Sequence, residues 1–307
     1  MHTSVDSGTY PRFSHKYFLL KNDVPTPKIY RLPEMPGPHE INIGLLHQES
    51  GHYIVAVLKE TMISSMLSGY KKSKLTEGPC LCIFDTSTGK WECKYVTLPG
   101  NLTSWNWDID VVLANDNRFY WVDLHCGILC YDINQLEPDL GFIPLPSESF
   151  QDGEIDYHMR EDRCVSICNG ELTCVHIFRK NHIFFDYGTK SQQCEDSVKI
   201  WSWRYRHWVE DCEMKFAELW ESRPYSSKGV PKFVPAYPTI DHHFPNLVNF
   251  FVPTGHLCNG YVIGVHLRSM EIQYWGEEYE GLLNHVRGLE IFEFSETVAK
   301  YYQQQAP

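Results

Sequence analysis

The sequence holds no run of about 18 apolar residues, the length a helix needs to cross a bilayer. No membrane partner is expected. The polar stretch 1–14 also lacks the apolar centre of a signal peptide. A cytoplasmic and/or nuclear home is therefore expected, rather than secretion. Basic residues are scarce: 27 Lys and Arg against 39 Asp and Glu give a formal net charge of −12. Such a surface repels phosphate backbones, so no nucleic-acid partner is expected. The densest basic group, Lys71, Lys72 and Lys74, falls in the polar segment 64–79, which reads as a solvated loop. Nucleotide and hydrolase signatures are missing too. There is no G-x-x-x-x-G-K-S/T phosphate loop, no G-x-G-x-x-G after a strand, no H-E-x-x-H and no G-x-S-x-G. The chain is read as non-enzymatic and without a cofactor.

What is present is apolar, aromatic and strand-like. Of 307 residues, 43% are hydrophobic and 14% are Phe, Trp or Tyr, enough for a sizeable core. Strand-like runs recur in pairs, each pair joined by a turn and often closed by Leu-Pro or an aromatic residue. Five stretches show this, at 17–36, 80–99, 128–146, 198–216 and 261–275. In the second, Asp85-Thr86-Ser87-Thr88-Gly89 forms the turn, and Gly89 supplies the positive φ that a hairpin loop needs. Further hairpins are split at Glu49-Ser50-Gly51, Asn115-Asp116-Asn117 and Asn169-Gly170.

Two hairpins in succession make a four-stranded antiparallel sheet. Repetition of that unit predicts an all-β, β-propeller-like array. Four full blades are expected at 41–99, 109–146, 162–216 and 246–276. The leftover hairpin 17–33 and a late strand 288–294 are assigned to one closing blade. That gives five blades, or six if a hairpin hides in 180–190 or 230–250. Tandem β-sandwiches are the alternative. A short C-terminal helix is placed at 295–303, capped by Ser295. The organisation is then a flexible stub 1–14, a single propeller-like domain 15–302 and a flexible tail 303–307.

Several side-chain groups invite chemistry. Eleven cysteines are scattered through the strands. Cys80 and Cys82 share a strand face near Cys93, Cys126 and Cys130 flank a turn, and Cys164 and Cys168 precede Cys174 and His176. Cys168 and Cys174 are candidates to meet across the Asn169-Gly170 hairpin. Packed free thiols, with no metal, are expected throughout. Asn101-Leu102-Thr103 matches a glycosylation sequon and is expected to stay unmodified. Asp241, His242 and His243 sit in a proline-bounded segment read as a loop between blades, with His256 and Cys258 following. Trp105 and Trp107 alternate along a strand and can stack, while Asp108 and Asp110 point together. Glu277, Glu278 and Glu280 beside Tyr279 form a solvated acidic loop open to a basic peptide.

The core WDIDVVLANDNRFYWVDLHCGILCYDI, followed by GFIPLP, resembles the plant "domain of unknown function 1618" family, abundant in grasses. The resemblance is carried by Trp121-Val122-Asp123-Leu124, then Gly127-Ile128-Leu129, then Pro144-Leu145-Pro146. IWSWRYRHW at 200–208 and the Pro-x-x-Pro-x-Tyr-Pro-like linker at 230–238 extend it, so that it spans about 17–275. The family is similar to propeller-like domains found after F-boxes; no F-box is expected here, since the polar stub 1–14 is too short for one. The resemblance implies a β fold, an intracellular home and a recognition role, with no catalytic residues to carry over.

The resulting expectation is an interaction module that binds a protein or peptide partner through inter-blade loops. Trp105, Trp107, Asp108, His242 and His243 are the candidate partner-binding residues. A substrate receptor in ubiquitin ligation is one alternative. A hydrolase using Asp108, Asp110 or Asp123 is another. Oligomeric state stays open.

Overall fold

The computed structural model describes residues 17–21, 28–35, 42–60, 79–100, 107–135, 139–149, 159–179, 196–254 and 256–276. The chain divides into two compact units, Met1–Val96 and Thr97–Pro307.

In the first unit, β1 (Phe18–Lys21) and β2 (Lys28–Arg31) form a two-stranded antiparallel sheet. Next come β3 (Ile43–His47), β4 (Tyr53–Glu60), β5 (Pro79–Asp85) and β6 (Lys90–Tyr95), which pair in chain order as an antiparallel meander. Burial follows position in the sheet. The middle strands β4 and β5 carry runs of buried apolar residues such as Val55–Leu58, whereas the edge strand β6 is mostly exposed. The β5–β6 turn closes as read: Gly89 has φ +67° and its N–H donates to the Asp85 carbonyl at 2.8 Å. Leu19 and Leu32 join Val55 and Phe84 in a small core, with Tyr17 and Trp91 packed on it.

The second unit repeats the meander three times. β7 (Val111–Asn115), β8 (Arg118–Asp123), β9 (Gly127–Asp132) and β10 (Gly141–Ile143) form the first sheet. β11 (Arg163–Cys168), β12 (Glu171–Phe178), β13 (Ser197–Arg204) and β14 (His207–Lys215) form the second. β15 (Ala236–Ile240), β16 (Leu247–Thr254), β17 (His256–His266) and β18 (Glu271–Gly276) form the third. Every pairing inside these sheets is antiparallel. The described residues are thus mostly β and form four four-stranded antiparallel sheets and one two-stranded sheet.

Tight turns set the register. Asp116 and Asn117 have φ of 47° and 63°, and Asn169 and Gly170 have 49° and 80°, positive at both central positions as two-residue hairpins require. Tyr205 and Arg206 form a third such turn, with φ of 52° and 64°. Consecutive sheets then stack through their apolar faces. Val122, Ile128 and Leu145 meet Val165, Cys174 and Trp201 in one core. Ile177, Val198 and Ile200 meet Val248, Phe250 and Ile263 in the other. Each such side chain contributes about 1.5–3 kcal/mol on burial.

Several sequence expectations are corrected. The last sheet begins at Ala236, so part of the segment read as a linker is a strand. Pro238 is tolerated because β15 is an edge strand whose register shifts between Ala236 and Thr239, with Tyr237 at φ 52°. Three unforeseen short α-helices appear among the described residues: α1 (Met159–Asp162), α2 (Phe216–Glu221) and α3 (Arg223–Ser226). α2 and α3 bury Phe216, Leu219, Trp220 and Tyr225, and the Ser222 hydroxyl accepts the Tyr225 N–H as the α3 cap. The closing strand 288–294, the C-terminal helix 295–303, the basic loop and the acidic loop lie outside the described residues.

Candidate functional site

The first strands β7, β11 and β15 of the second unit are neighbours, with β11 beside both others. Their turns therefore converge. Asn115 Nδ2 donates to the Gly170 carbonyl at 3.0 Å, and the Asn169 N–H donates to the His242 carbonyl at 3.1 Å. His242 Nδ1 lies 3.1 Å from the Ile167 carbonyl. A carbonyl can only accept, so Nδ1 carries the proton. Asp241 holds the adjoining bend by accepting the His243 N–H at 2.8 Å and the Phe244 N–H at 3.1 Å. Between these elements lies a groove of about 490 Å³, walled by Val112, Ala114, Ile167 and Gly170 and edged by His242 and His243. His242 is half-buried and His243 is exposed. The two histidines sit in the β15–β16 connection, inside one sheet, and not between sheets as read from the sequence, because the sheet starts ten residues earlier (236 against 246).

The other end of the same strands is tied by charge. Asp123, 2% exposed, accepts the backbone N–H of Asp108 at 2.9 Å, His125 at 2.8 Å and Cys126 at 3.1 Å. Asp110 accepts the Leu124 N–H at 2.7 Å. Arg160 bridges Asp110 through Nε and Asp108 through Nη2 at 3.1 Å. The buried Arg163 donates to the Leu124 carbonyl and lies 3.2 Å from His176 Nδ1. Arg179 grips Asp162 through Nε and Nη2 at 2.6–2.8 Å and donates to the Pro235 carbonyl at 2.7 Å.

Asp108 and Asp110 thus do come together, but not on a strand. Residues 107–110 are irregular and β7 starts at Val111. Burial pushes the Asp110 carboxyl above the ordinary range, and the Leu124 N–H and Arg160 pull it back. Burial, reinforced by Asp123, pushes the Cys126 thiol up to about 11. Asp110, Asp123 and His125 each bring one ligand atom within 4.8 Å of the others. Both carboxylates already serve backbone N–H groups or Arg160, which makes the group a cap for the β8–β9 turn. Trp107 stands edge-on to Phe142 of β10 at 6.2 Å, while Trp105 lies outside the described residues. A second hollow of about 440 Å³ lies between Tyr120, Cys130 and Trp203, floored by the Arg118–Asp132 ion pair.

The cysteines divide differently from the reading. Cys168 stands opposite Glu171, and Cys174 opposite Val165, so these two do not meet across their hairpin. Cys126 lies in the β8–β9 turn and Cys130 within β9, so the two do not flank a turn. In the first unit Cys82 and Cys93 are joined as a disulfide instead of packing as free thiols. Arg160, Arg163 and Arg179 were missed because each bonds across 13 to 56 positions, a distance no local pattern reports.

Residues 121–249 match the model of a family described as "Protein of unknown function (DUF1618)". The match takes in the Trp121, Gly127 and Pro144 motifs and the 200–208 and 230–238 segments, and leaves out 17–120 and 250–275. No curated protein matches the chain.

Proposed function

From a chain whose residues 121–249 belong to the DUF1618 family, a family described as of unknown function, we propose a non-enzymatic interaction module. Its groove beside β7 and β11 takes an extended segment of a protein or peptide partner. The observation that carries this reading is the convergence of turns from three successive sheets on one open hollow. Rigid sheets that present clustered loops are a common platform for recognition. The groove is walled by small and apolar groups and edged by two imidazoles. Among the described residues β7 pairs with β8 alone, so its other strand edge is one that an extended peptide can use. The net charge of −12 favours partners with basic residues flanking the docked segment.

The finer architecture belongs to the same proposal: the sheets are blades of a β-propeller. Adjacent first strands and face-to-face stacking of consecutive sheets support it. The hydrolase alternative has less behind it, since Asp108, Asp110 and Asp123 are engaged by Arg160 and by backbone N–H groups.

A displayed random-peptide library, selected on the full chain and on Ala114→Arg, tests the reading. Wild type should enrich a basic-flanked consensus whose binding weakens with salt. The variant, which fills the groove, should lose it while keeping its melting temperature. Equal enrichment on both proteins, or none on either, overturns the groove assignment.

A further inference from the structure

We propose that Cys80, Cys82 and Cys93 form a thiol–disulfide exchange site that takes up a disulfide from a low-molecular-weight donor and moves it inward from the surface. The geometry comes from strand register alone. Cys80 and Cys82 are two positions apart on β5 and share a face, and Cys93 on β6 stands directly opposite Cys82. Cys82 and Cys93 are bonded, with Cα atoms 4.1 Å apart, and Cys80 Sγ lies 3.9 Å from Cys82 Sγ. Cys82 is the central sulfur of the three, within reach of both others.

Exposure grades across the trio. Cys93 is exposed on the edge strand, Cys82 is fully buried, and Cys80 is 7% exposed. An external disulfide therefore reaches Cys93 first. The buried Lys59 stands opposite Cys80 on β4. Burial pushes the Cys80 thiol up and the Lys59 ammonium pulls it back, and its seat away from the surface keeps Cys80 from meeting an external disulfide before Cys93 does.

The steps balance as follows. The reduced Cys93 thiolate attacks one sulfur of a disulfide RSSR, forming Cys93–S–SR and releasing RS⁻. Cys82 then attacks the Cys93 sulfur, forming Cys82–Cys93 and releasing the second RS⁻. The two cysteine protons end on two RSH, so RSSR gains two electrons and the cysteine pair loses two. Cys80 next attacks Cys82 Sγ, which breaks Cys82–Cys93 and forms Cys80–Cys82. The proton of Cys80 ends on Cys93, with no net oxidation. An exposed Cys93 thiol is regenerated and can take a second RS group as a mixed disulfide. Where thiols are kept reduced, such a bridge is transient and follows the redox poise.

The test uses the full chain equilibrated across a series of reduced to oxidised glutathione, then trapped by alkylation and mapped by mass spectrometry. Wild type should show Cys82–Cys93 at intermediate poise. At the oxidising end it should show Cys80–Cys82 together with glutathione on Cys93. Cys93→Ser, which lacks the entry thiol, should form Cys80–Cys82 far more slowly than wild type, and Cys80→Ser should stop at Cys82–Cys93 with no Cys93 adduct. Should a variant fail to fold, the wild-type connectivities decide alone. The proposal is overturned if Cys80 is always recovered as a free thiol, or if none of the three oxidises. It is equally overturned if the reduced chain holds one equivalent of added zinc that all three Ser variants lose.

Discussion

The indole Nε1 of Trp208 donates to the Pro144 carbonyl at 2.6 Å, tying the last strand of one sheet to the proline that ends the sheet before it. Within the first unit, Trp91 makes the same contact with Pro33 at 3.1 Å. Each tryptophan follows the turn into the fourth strand of its sheet, and each proline follows the last strand of the preceding sheet. The prolines that follow these closing strands, in Leu32-Pro33 and Ile143-Pro144, are therefore docking points as well as strand ends. Trp208 also stands edge-on to Trp203 at 5.4 Å, its direct cross-strand partner.

Replacing Trp208 with Phe should keep most of the ring packing and remove the donor. The loss of one hydrogen bond costs about 1 kcal/mol. In a unit of this size that lowers the melting temperature by about 2–4 °C. Scanning calorimetry of wild type and Trp208→Phe checks it, and an unchanged melting temperature would show that the contact contributes nothing.

The Asp162–Arg179 pair is the stronger tie. Their side chains are 6% and 21% exposed, and the guanidinium reaches on to the Pro235 carbonyl, just before β15. Removing one partner strands the other charge away from water, which costs about 3–5 kcal/mol. Asp162→Asn should therefore destabilise far more than Trp208→Phe in urea titrations. The double variant Asp162→Leu with Arg179→Met should recover much of the loss. If the single and double variants are equally unstable, the stranded charge is not the cause.

Much of the fold was legible because its punctuation is local. The blades expected at 109–146 and 162–216 appear as sheets spanning 111–143 and 163–215. The residues that set them, Asp116-Asn117 and Asn169-Gly170, are those that tolerate positive φ. Tyr205-Arg206 makes the same turn without such residues, so only the Trp203–Trp208 pairing around it explains the geometry. α2 carries helical spacing in Phe216, Leu219 and Trp220, just past the strand stretch that was read to 216, and β15 hid behind Pro238. At the candidate site Asp108 and Asp110 were paired by strand alternation, but these residues are irregular and it is Arg160, about 50 positions on, that joins them. His242 and His243 were singled out, but their approach to Asn169 depends on sheet-to-sheet stacking that no single segment encodes.

Asp110 should impose a pH dependence with a definite sign. Its carboxyl is held above the ordinary range in the folded chain, chiefly by burial, and titrates normally in the unfolded chain. Between those two values the folded state binds more protons, so this contribution to stability falls as pH rises. Asp110→Asn removes the titration. The stability of wild type minus that of Asp110→Asn should therefore be larger near about pH 4, close to the ordinary aspartate value, than near neutrality. Urea titrations at both pH values check it, and a difference independent of pH would mean that the Leu124 N–H and Arg160 fully offset the burial.

Gly127 shows how the β8–β9 turn reaches the acidic cluster. It has φ +148°, and a Cβ there would lie 2.5 Å from Phe142 Cε2 and 3.0 Å from the Ile143 carbonyl. Phe142 in turn abuts Trp107, next to Asp108 and three residues before Asp110. Gly127→Ala should therefore cost in two ways. Backbone strain at a conformation alien to alanine is worth about 1–3 kcal/mol. The clash adds about 1–3 kcal/mol of overpacking, passed through Phe142 towards Trp107. Phe142→Ala alone is also destabilising, since it empties a partly buried position. The double variant removes the clash but not the strain, so its total loss should be smaller than the sum of the single losses. A double-mutant cycle in urea measures that coupling. Strict additivity would mean that the ring moves aside freely and that Gly127 is required for its backbone angle alone.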